Sequence, residues 1–205
     1  MAFFEIEDDS ELWNMAIALD WYSNFDRMRL RNVRTELGQA VHEYKYYKNL
    51  SDERRQQIVR TCSAEIGRVL KLQFEVEKES FNSCIAVIPN SDLGHSLPLD
   101  LALQLSYQFD WIRDDSRCLI KTRDLEPLKN KSRESRAGYI AGAYAINEEY
   151  RMTTPRGFLL IDDVYETGST LREICRTLNR TFPSVPRYVL AITRKRVPTV
   201  WKMGS

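Results

Sequence analysis

The spacing of apolar positions changes period part-way along the chain. From Glu36 apolar residues recur at helical spacing: Leu37, Ala40, Val41 and Tyr44 share one stripe and Thr35 stands at the N-cap, so a helix is predicted. Asn49 to Asp52 interrupts the stripe. Ser51 then caps a second helix whose inner face is Ile58, Cys62, Ile66, Val69 and Leu70. After Asn82 the pattern shifts to short continuous apolar runs. Cys84 to Ile88 reads as a buried strand ended by Pro89, Leu97 to Tyr107 as a helix, and Cys118 to Ile120 as a second short strand. Thr122 to Arg136 is polar and basic and is expected to be a mobile segment, with a return to strand over Tyr139 to Ile146. Phe158 to Asp162 and Tyr188 to Thr193 are the remaining strands, with a helix between them through Leu171, Ile174, Cys175 and Leu178. The N-terminal 34 residues are the hardest to read. Trp13 to Tyr22 suits one strand, with a helix as its close competitor, followed by a loop at Ser23 and Asn24.

Strands alternating with helices at this spacing imply an α/β fold, a doubly wound and mainly parallel sheet with helices on both faces. Residues 81–205 form its core, and residues 1–80 supply a smaller N-terminal subdomain or hood. In such sheets ligands bind outside the carboxyl ends of the strands. That rule puts Asn90 to Asp92, Asp162 to Thr170 and Arg194 to Arg196 on one rim.

Candidate chemistry concentrates at the end of the Phe158 strand. Asp162 and Asp163 follow the apolar run directly, where the strand is expected to stop. Gly168 then tolerates a positive φ, and the N–H groups of residues 166 to 170 can converge on one anion at a helix N-terminus. The hydroxyls of Thr167, Ser169 and Thr170 add donors at the same place. Two carboxylates to accept from sugar hydroxyls, beside a nest for a phosphate, describe a pocket for a sugar phosphate.

The wider composition trims the alternatives. The chain has 205 residues, 43% of them hydrophobic and 29% charged, with a formal net charge of +1. Such a balance argues against a general polyanion binder, though it leaves room for a local basic patch. No apolar run approaches the ~20 residues that span a bilayer, and the first residues turn acidic at once, so a cytoplasmic protein is expected. Cys62, Cys84, Cys118 and Cys175 are far apart, and three lie in apolar patterns, the mark of reduced core thiols rather than zinc ligands.

The run Leu159-Leu160-Ile161-Asp162-Asp163-Val164-Tyr165-Glu166-Thr167-Gly168-Ser169-Thr170 resembles the PRPP-binding motif of type I phosphoribosyltransferases at every defining position. The resemblance implies that family's fold and a Mg²⁺-dependent transfer of the 5-phosphoribosyl group from PRPP to a small-molecule nitrogen acceptor, with release of pyrophosphate. Asp162 and Asp163 would hold the ribose hydroxyls beside an oxocarbenium-like transition state. Tyr165 and Glu166 join Thr167 to Thr170 as substrate-binding positions, the latter four anchoring the 5′-phosphate. Mg²⁺ would be carried by PRPP oxygens with no direct protein ligand. Asn90, Ser91 and Asp92 stand where the family holds pyrophosphate, without the Arg or Lys with Gly-Gly seen in many members.

Further segments resemble the ComF branch of that superfamily, named for competence proteins. Lys121 to Leu128 and Ser132 to Tyr144 are similar to its Arg-containing flexible loop and the segment after it, matching loosely at Arg136, Gly142, Ala143 and Tyr144. By that resemblance Lys121 and Arg123 close over the reaction centre and exclude water. Thr35 to Tyr46 is similar to a family segment ending in Lys-Tyr, which would bring Lys45 to the active-site rim; His42 receives no catalytic role. The branch's cysteine-rich zinc module has no counterpart here, which puts a direct part in DNA uptake in doubt. Two other functions stay open at this point. One is a non-catalytic PRPP- or nucleotide-binding regulatory or competence-related accessory protein on the same fold. The other is a nucleic-acid partner for Arg194 to Arg196, Lys129 to Arg136 and exposed aromatics such as Trp111 and Trp201, against which the near-neutral charge argues. A homodimer is compatible with the sequence.

Overall fold

The computed structural model describes residues 3–7, 11–26, 28, 31–74, 80–88, 95–123, 133–150 and 153–195. In chain order its elements are β1 (Phe4–Glu5), β2 (Met15–Trp21), β3 (Ser23–Asp26), β4 (Arg31–Arg34), α1 (Glu36–Tyr46) and α2 (Asp52–Phe74). These are followed by β5 (Ser83–Ala86), α3 (Leu97–Gln108), β6 (Arg113–Asp114), β7 (Leu119–Lys121) and α4 (Arg133–Ile140). The last are β8 (Tyr144–Ile146), β9 (Phe158–Tyr165), α5 (Ser169–Thr181) and β10 (Arg187–Arg194).

Period-two alternation decides the layers. In β2, Ile17 and Leu19 join one apolar cluster while Ala16 and Ala18 join another; in β9, Leu159 and Ile161 separate in the same way from Phe158 and Leu160. The first cluster is completed by α1, α2 and α3, the second by α4, α5 and the β7–β8 pair. The molecule is therefore α/β, with helices on both faces of a six-stranded sheet ordered β1-β2-β10-β9-β5-β6. Every pairing is parallel except the edge strand β1. Both-sided burial explains why these strands read as unbroken apolar runs. It also settles Trp13 to Tyr22 as a strand, since a helix would gather Ala16 to Leu19 differently. All four cysteines are buried and none forms a disulfide among the described residues, and burial raises the thiols of Cys62, Cys84 and Cys118.

Several expectations are corrected. Ser23 and Asn24 do not form a loop but open an antiparallel hairpin, β3 with β4, in register Ser23↔Arg34 and Asp26↔Arg31. The strand at Cys118 to Ile120 lies outside the central sheet; as β7 it pairs antiparallel with β8. The edge position beside β5 is taken by the short, polar β6. Part of the Thr122 to Arg136 segment is helix, because α4 begins at Arg133, while residues 124–132 lie outside the described residues. The strand expected from Tyr139 is correspondingly shorter and starts at Tyr144. The chain changes direction at Gly142, φ +72°, and Arg123 donates to the Tyr139 and Ala141 carbonyls at 2.5 and 3.0 Å, closing the end of α4. Trp111 is not an exposed aromatic: it packs on Phe81 and Phe109 at ring separations of 5.3 and 5.7 Å.

The sheet order carries a topological consequence. From β5 the chain moves outward to β6, and from β9 it moves the other way to β10. The direction of winding reverses between β5 and β9, and ligands of open α/β sheets bind at that reversal, beyond the carboxyl ends of the strands. The segments after Ala86 and after Ile161 flank it. No helix among the described residues is long and apolar enough to cross a membrane.

Candidate functional site

β9 does not stop at the acid pair. It continues to Tyr165 because β10 keeps pairing with it, through Asp162↔Ala191, Val164↔Thr193 and Tyr165↔Arg194. Asp162 and Asp163 thus lie within the strand rather than at the start of a loop, and the strand holds their backbones. Asp162 accepts the N–H of Asp163 at 2.8 Å, and the Thr193 hydroxyl donates to the Asp163 carbonyl at 3.2 Å.

Successive strand residues face opposite ways, so the two carboxylates meet different neighbours. Asp163 meets Lys45 at 2.8 Å, the ammonium arriving from α1 on its face of the sheet. Asp162 falls in the field of Tyr144 from the other layer. Burial, then the Asp163 charge, pushes the Asp162 carboxyl up to about 7, although the Lys45 ammonium pulls against them. Burial works against the charge on Lys45, and Asp163 more than offsets it, so its pKa is raised. One acid is therefore ion-paired, and its neighbour titrates near neutral pH.

Beyond the strand the chain turns through Gly168, which has φ +70° and serves as the N-cap of α5. A Cβ there would approach the Tyr165 hydroxyl to 2.7 Å, so the turn demands glycine both for its φ and for the ring packed on it. The Thr167 and Ser169 hydroxyls lie 3.0 Å apart, and Arg172 donates to the Thr167 carbonyl at 2.7 Å. These hydroxyls stand at the start of α5, where the first N–H groups of a helix lack intrahelical acceptors. That assembly suits an oxyanion.

The expected site residues are distributed as follows. Asp162, Asp163, Thr167, Gly168, Ser169, Thr170 and Lys45 share one rim. Tyr165 is buried under the turn. Glu166 is exposed and pairs with Lys195 at 3.1 Å. Lys121 lies in β7, and Arg123 caps α4 with its guanidinium near the Tyr139 ring rather than on the acid pair. Asn90, Ser91, Asp92 and Arg196 lie outside the described residues. Sequence reasoning passed over Tyr144 as a neighbour of Asp162, and over Arg172 and Thr193. Arg172 alone carried a signal, a cation in the first turn of an anion-facing helix.

Among the described residues no group of three His, Cys, Asp or Glu side chains could hold a metal ion. No protein-family model matches the chain, and no curated protein matches it in sequence.

Proposed function

We propose that the protein is a Mg²⁺-dependent phosphoribosyltransferase of the type I fold that moves the 5-phosphoribosyl group of PRPP to a nitrogen acceptor and releases pyrophosphate. One observation carries the reading. The acid pair stands near the carboxyl end of β9, beside the point where the winding of the sheet reverses, a few residues ahead of a left-handed glycine that opens α5. Acceptors for ribose hydroxyls and donors for a 5′-phosphate within one strand-to-helix segment are what this reading requires.

The chemistry follows from the same geometry. Substitution at the anomeric carbon breaks its bond to pyrophosphate and builds positive charge on the ribose ring. Asp162 and Asp163 lower the energy of that charge through space while accepting from the hydroxyls, and neither forms a bond to carbon. Phosphate held at the start of α5 orients the ring from its far end. Adjacent carboxylates, one of them already on Lys45, fit an ion carried in on substrate oxygens rather than a protein cage. Mg²⁺ bound in that way supplies charge neutralisation of the leaving pyrophosphate.

The test is calorimetric titration of PRPP with Mg²⁺ into the wild type and the Asp162→Asn/Asp163→Asn variant. Binding that the variant loses, followed by pyrophosphate release with nitrogen acceptors, is the expected result; a folded wild type that ignores PRPP removes the proposal. A second reading, a PRPP-binding regulator without turnover, draws on the Lys45–Asp163 pair, which engages an acid the substrate would need. Tight binding with no pyrophosphate release from any acceptor would select it.

A further inference from the structure

The β3–β4 hairpin builds a second cleft on the same rim. It encloses about 450 Å³ and is lined by Tyr22, Arg31, Asn32, Arg34 and Gln39, among others. That volume lies within the range of small-molecule sites. The hairpin leaves the carboxyl end of β2, which lies two strands, roughly 10 Å at ordinary strand spacing, from β9. Three contacts fasten it there. The Tyr22 N–H donates to the Arg194 carbonyl at 2.9 Å, the Thr35 hydroxyl donates to the Trp21 carbonyl, and Gly38 lets α1 approach the Tyr22 carbonyl more closely than any Cβ would permit.

Its electrostatics are one-sided. Arg31 and Arg34 are exposed, and among the described residues neither is in an ion pair; Arg34 instead lies 5.8 Å from the Tyr22 ring centre. Lys195 approaches the same ring at 5.7 Å. The carboxylates nearby are engaged or set apart. Asp26, opposite Arg31 in the hairpin, accepts the Met28 N–H at 2.9 Å, and Glu36 stands exposed in the first turn of α1. His42 accepts or donates at the Tyr22 hydroxyl, 3.0 Å away, and its pKa is lowered by burial and then by Arg34, so it adds little positive charge of its own. Four arginines fall between residues 27 and 34 of the sequence, a density that a hairpin without an apolar face does not need for folding.

We infer that this cleft receives the acceptor of the transfer, and that the acceptor is a planar ring carrying its own negative charge, a carboxylate for preference. The inference rests on the phosphoribosyltransferase reading. Guanidinium groups bind carboxylates through two parallel hydrogen bonds, the tyrosine offers a flat wall, and Asn32 lines the cleft. The Gln39 amide instead donates to Glu43 at 3.0 Å, and Glu43 is itself paired with Arg54. Arginines that fold unmatched stay ready for such a ligand. Lys195 bridges the two parts of the rim, with its ammonium on Glu166 at 3.1 Å and its N–H on the Tyr165 carbonyl at 2.9 Å. A ring seated on the hairpin thus has the reacting sugar beside it.

Ligand-observed NMR and calorimetry with isophthalate, benzoate and the neutral benzamide test this on the full chain. Isophthalate is expected to bind at least about tenfold more tightly than benzamide. The Arg31→Gln/Arg34→Gln variant is expected to lose about tenfold or more of that affinity while binding PRPP within about twofold of wild type. Both arginines are exposed, so the variant keeps the fold. Equal binding of benzamide, no binding of either carboxylate, or an unchanged variant would overturn the assignment. Arginine-dependent isophthalate binding by a wild type that ignores PRPP would instead remove the transferase reading and keep the anion cleft.

Discussion

Two segments leave the carboxyl edge of one sheet, after β9 and after β2, and they handle charge in opposite ways. The first is acidic and already matched, with Lys45 on Asp163 and Lys195 on Glu166. The second is basic and carries Arg31 and Arg34 outside any ion pair among the described residues. A ligand at the acid pair must therefore compete with a lysine, and its hydroxyls win only by making better hydrogen bonds to the same oxygens. A ligand at the hairpin meets cations that are held only against the Tyr22 ring or in no ion pair among the described residues. The comparison teaches that the acid rim discriminates by geometry and the basic rim by charge. Salt should therefore weaken binding at the hairpin far more than at the acid pair.

The largest effect that would break the comparison lies at the acids. Replacing both by asparagine is expected to weaken PRPP binding about 100-fold or more, since each hydrogen bond to a charged acceptor contributes about 1.5–3 kcal/mol. Calorimetry showing an unchanged affinity would end the special status of that rim. Next comes Gly168→Ala, which adds left-handed strain to a collision with the Tyr165 ring. Urea denaturation should show a loss of about 2–4 kcal/mol. Gly142→Ala shares the positive φ but meets open space, so it should cost only about 1–2 kcal/mol. Equal losses would mean that the ring does not matter.

Titration sharpens the contrast further. The Asp162 carboxyl is pushed up to about 7 from an ordinary value of 3.8, so the folded chain holds this proton more tightly than the unfolded chain. Its contribution to stability is complete below pH 3.8 and is lost as pH rises through about 7. Asp162→Asn removes that loss, and its melting temperature should exceed wild type at pH 8 and converge with it near pH 4. The gain at pH 8 should be about 1–2 kcal/mol, discounted for partial exposure. Lys45→Met works the other way and should raise the Asp162 midpoint, read from its side-chain carbon shift. Lys45 is 45% exposed, so the direct stability cost of that variant should stay below about 1 kcal/mol.

The smallest effect belongs to Tyr144. It is 3% exposed and its hydroxyl has no hydrogen-bond partner among the described residues; burial, and then the nearby Asp162, raise its pKa. Tyr144→Phe should leave stability unchanged or improve it by up to about 1 kcal/mol, because an unsatisfied buried hydroxyl is removed. A clear loss in thermal denaturation would show that the hydroxyl finds a partner in solution.

The legible parts of this chain are those where one physical signal dominates. The run at Phe158 announced a strand buried on both faces, and Gly168 announced the turn, because only glycine meets both of its demands. Thr35 announced the start of α1, and its hydroxyl accepts the Gly38 N–H at 3.0 Å. The parts that stayed hidden lack a local signal. The hairpin strands have no apolar face to alternate, so Ser23 and Asn24 read as loop. Helix α4 is short, and among its described side chains only Ile140 is buried. The length of β9 was misjudged because carboxylates suggest a strand end, whereas pairing with β10 decides it. Lys45 and Asp163 are 118 residues apart, and nothing in either neighbourhood states their 2.8 Å contact.

The seam between β2 and β10 joins residues near the two ends of the described chain. Asn14 donates to the Arg187 carbonyl at 2.8 Å, and the Arg187 side chain returns to the Leu12 carbonyl at 2.8 Å, 175 positions away. During synthesis β2 leaves the ribosome with both apolar faces formed and no parallel neighbour. It must wait until β10 is translated before it can be inserted. Such long-range pairing slows folding and leaves a sticky strand exposed meanwhile. The rim therefore cannot assemble before β10 has been made. A truncation that removes β10 would leave neither half of the binding edge.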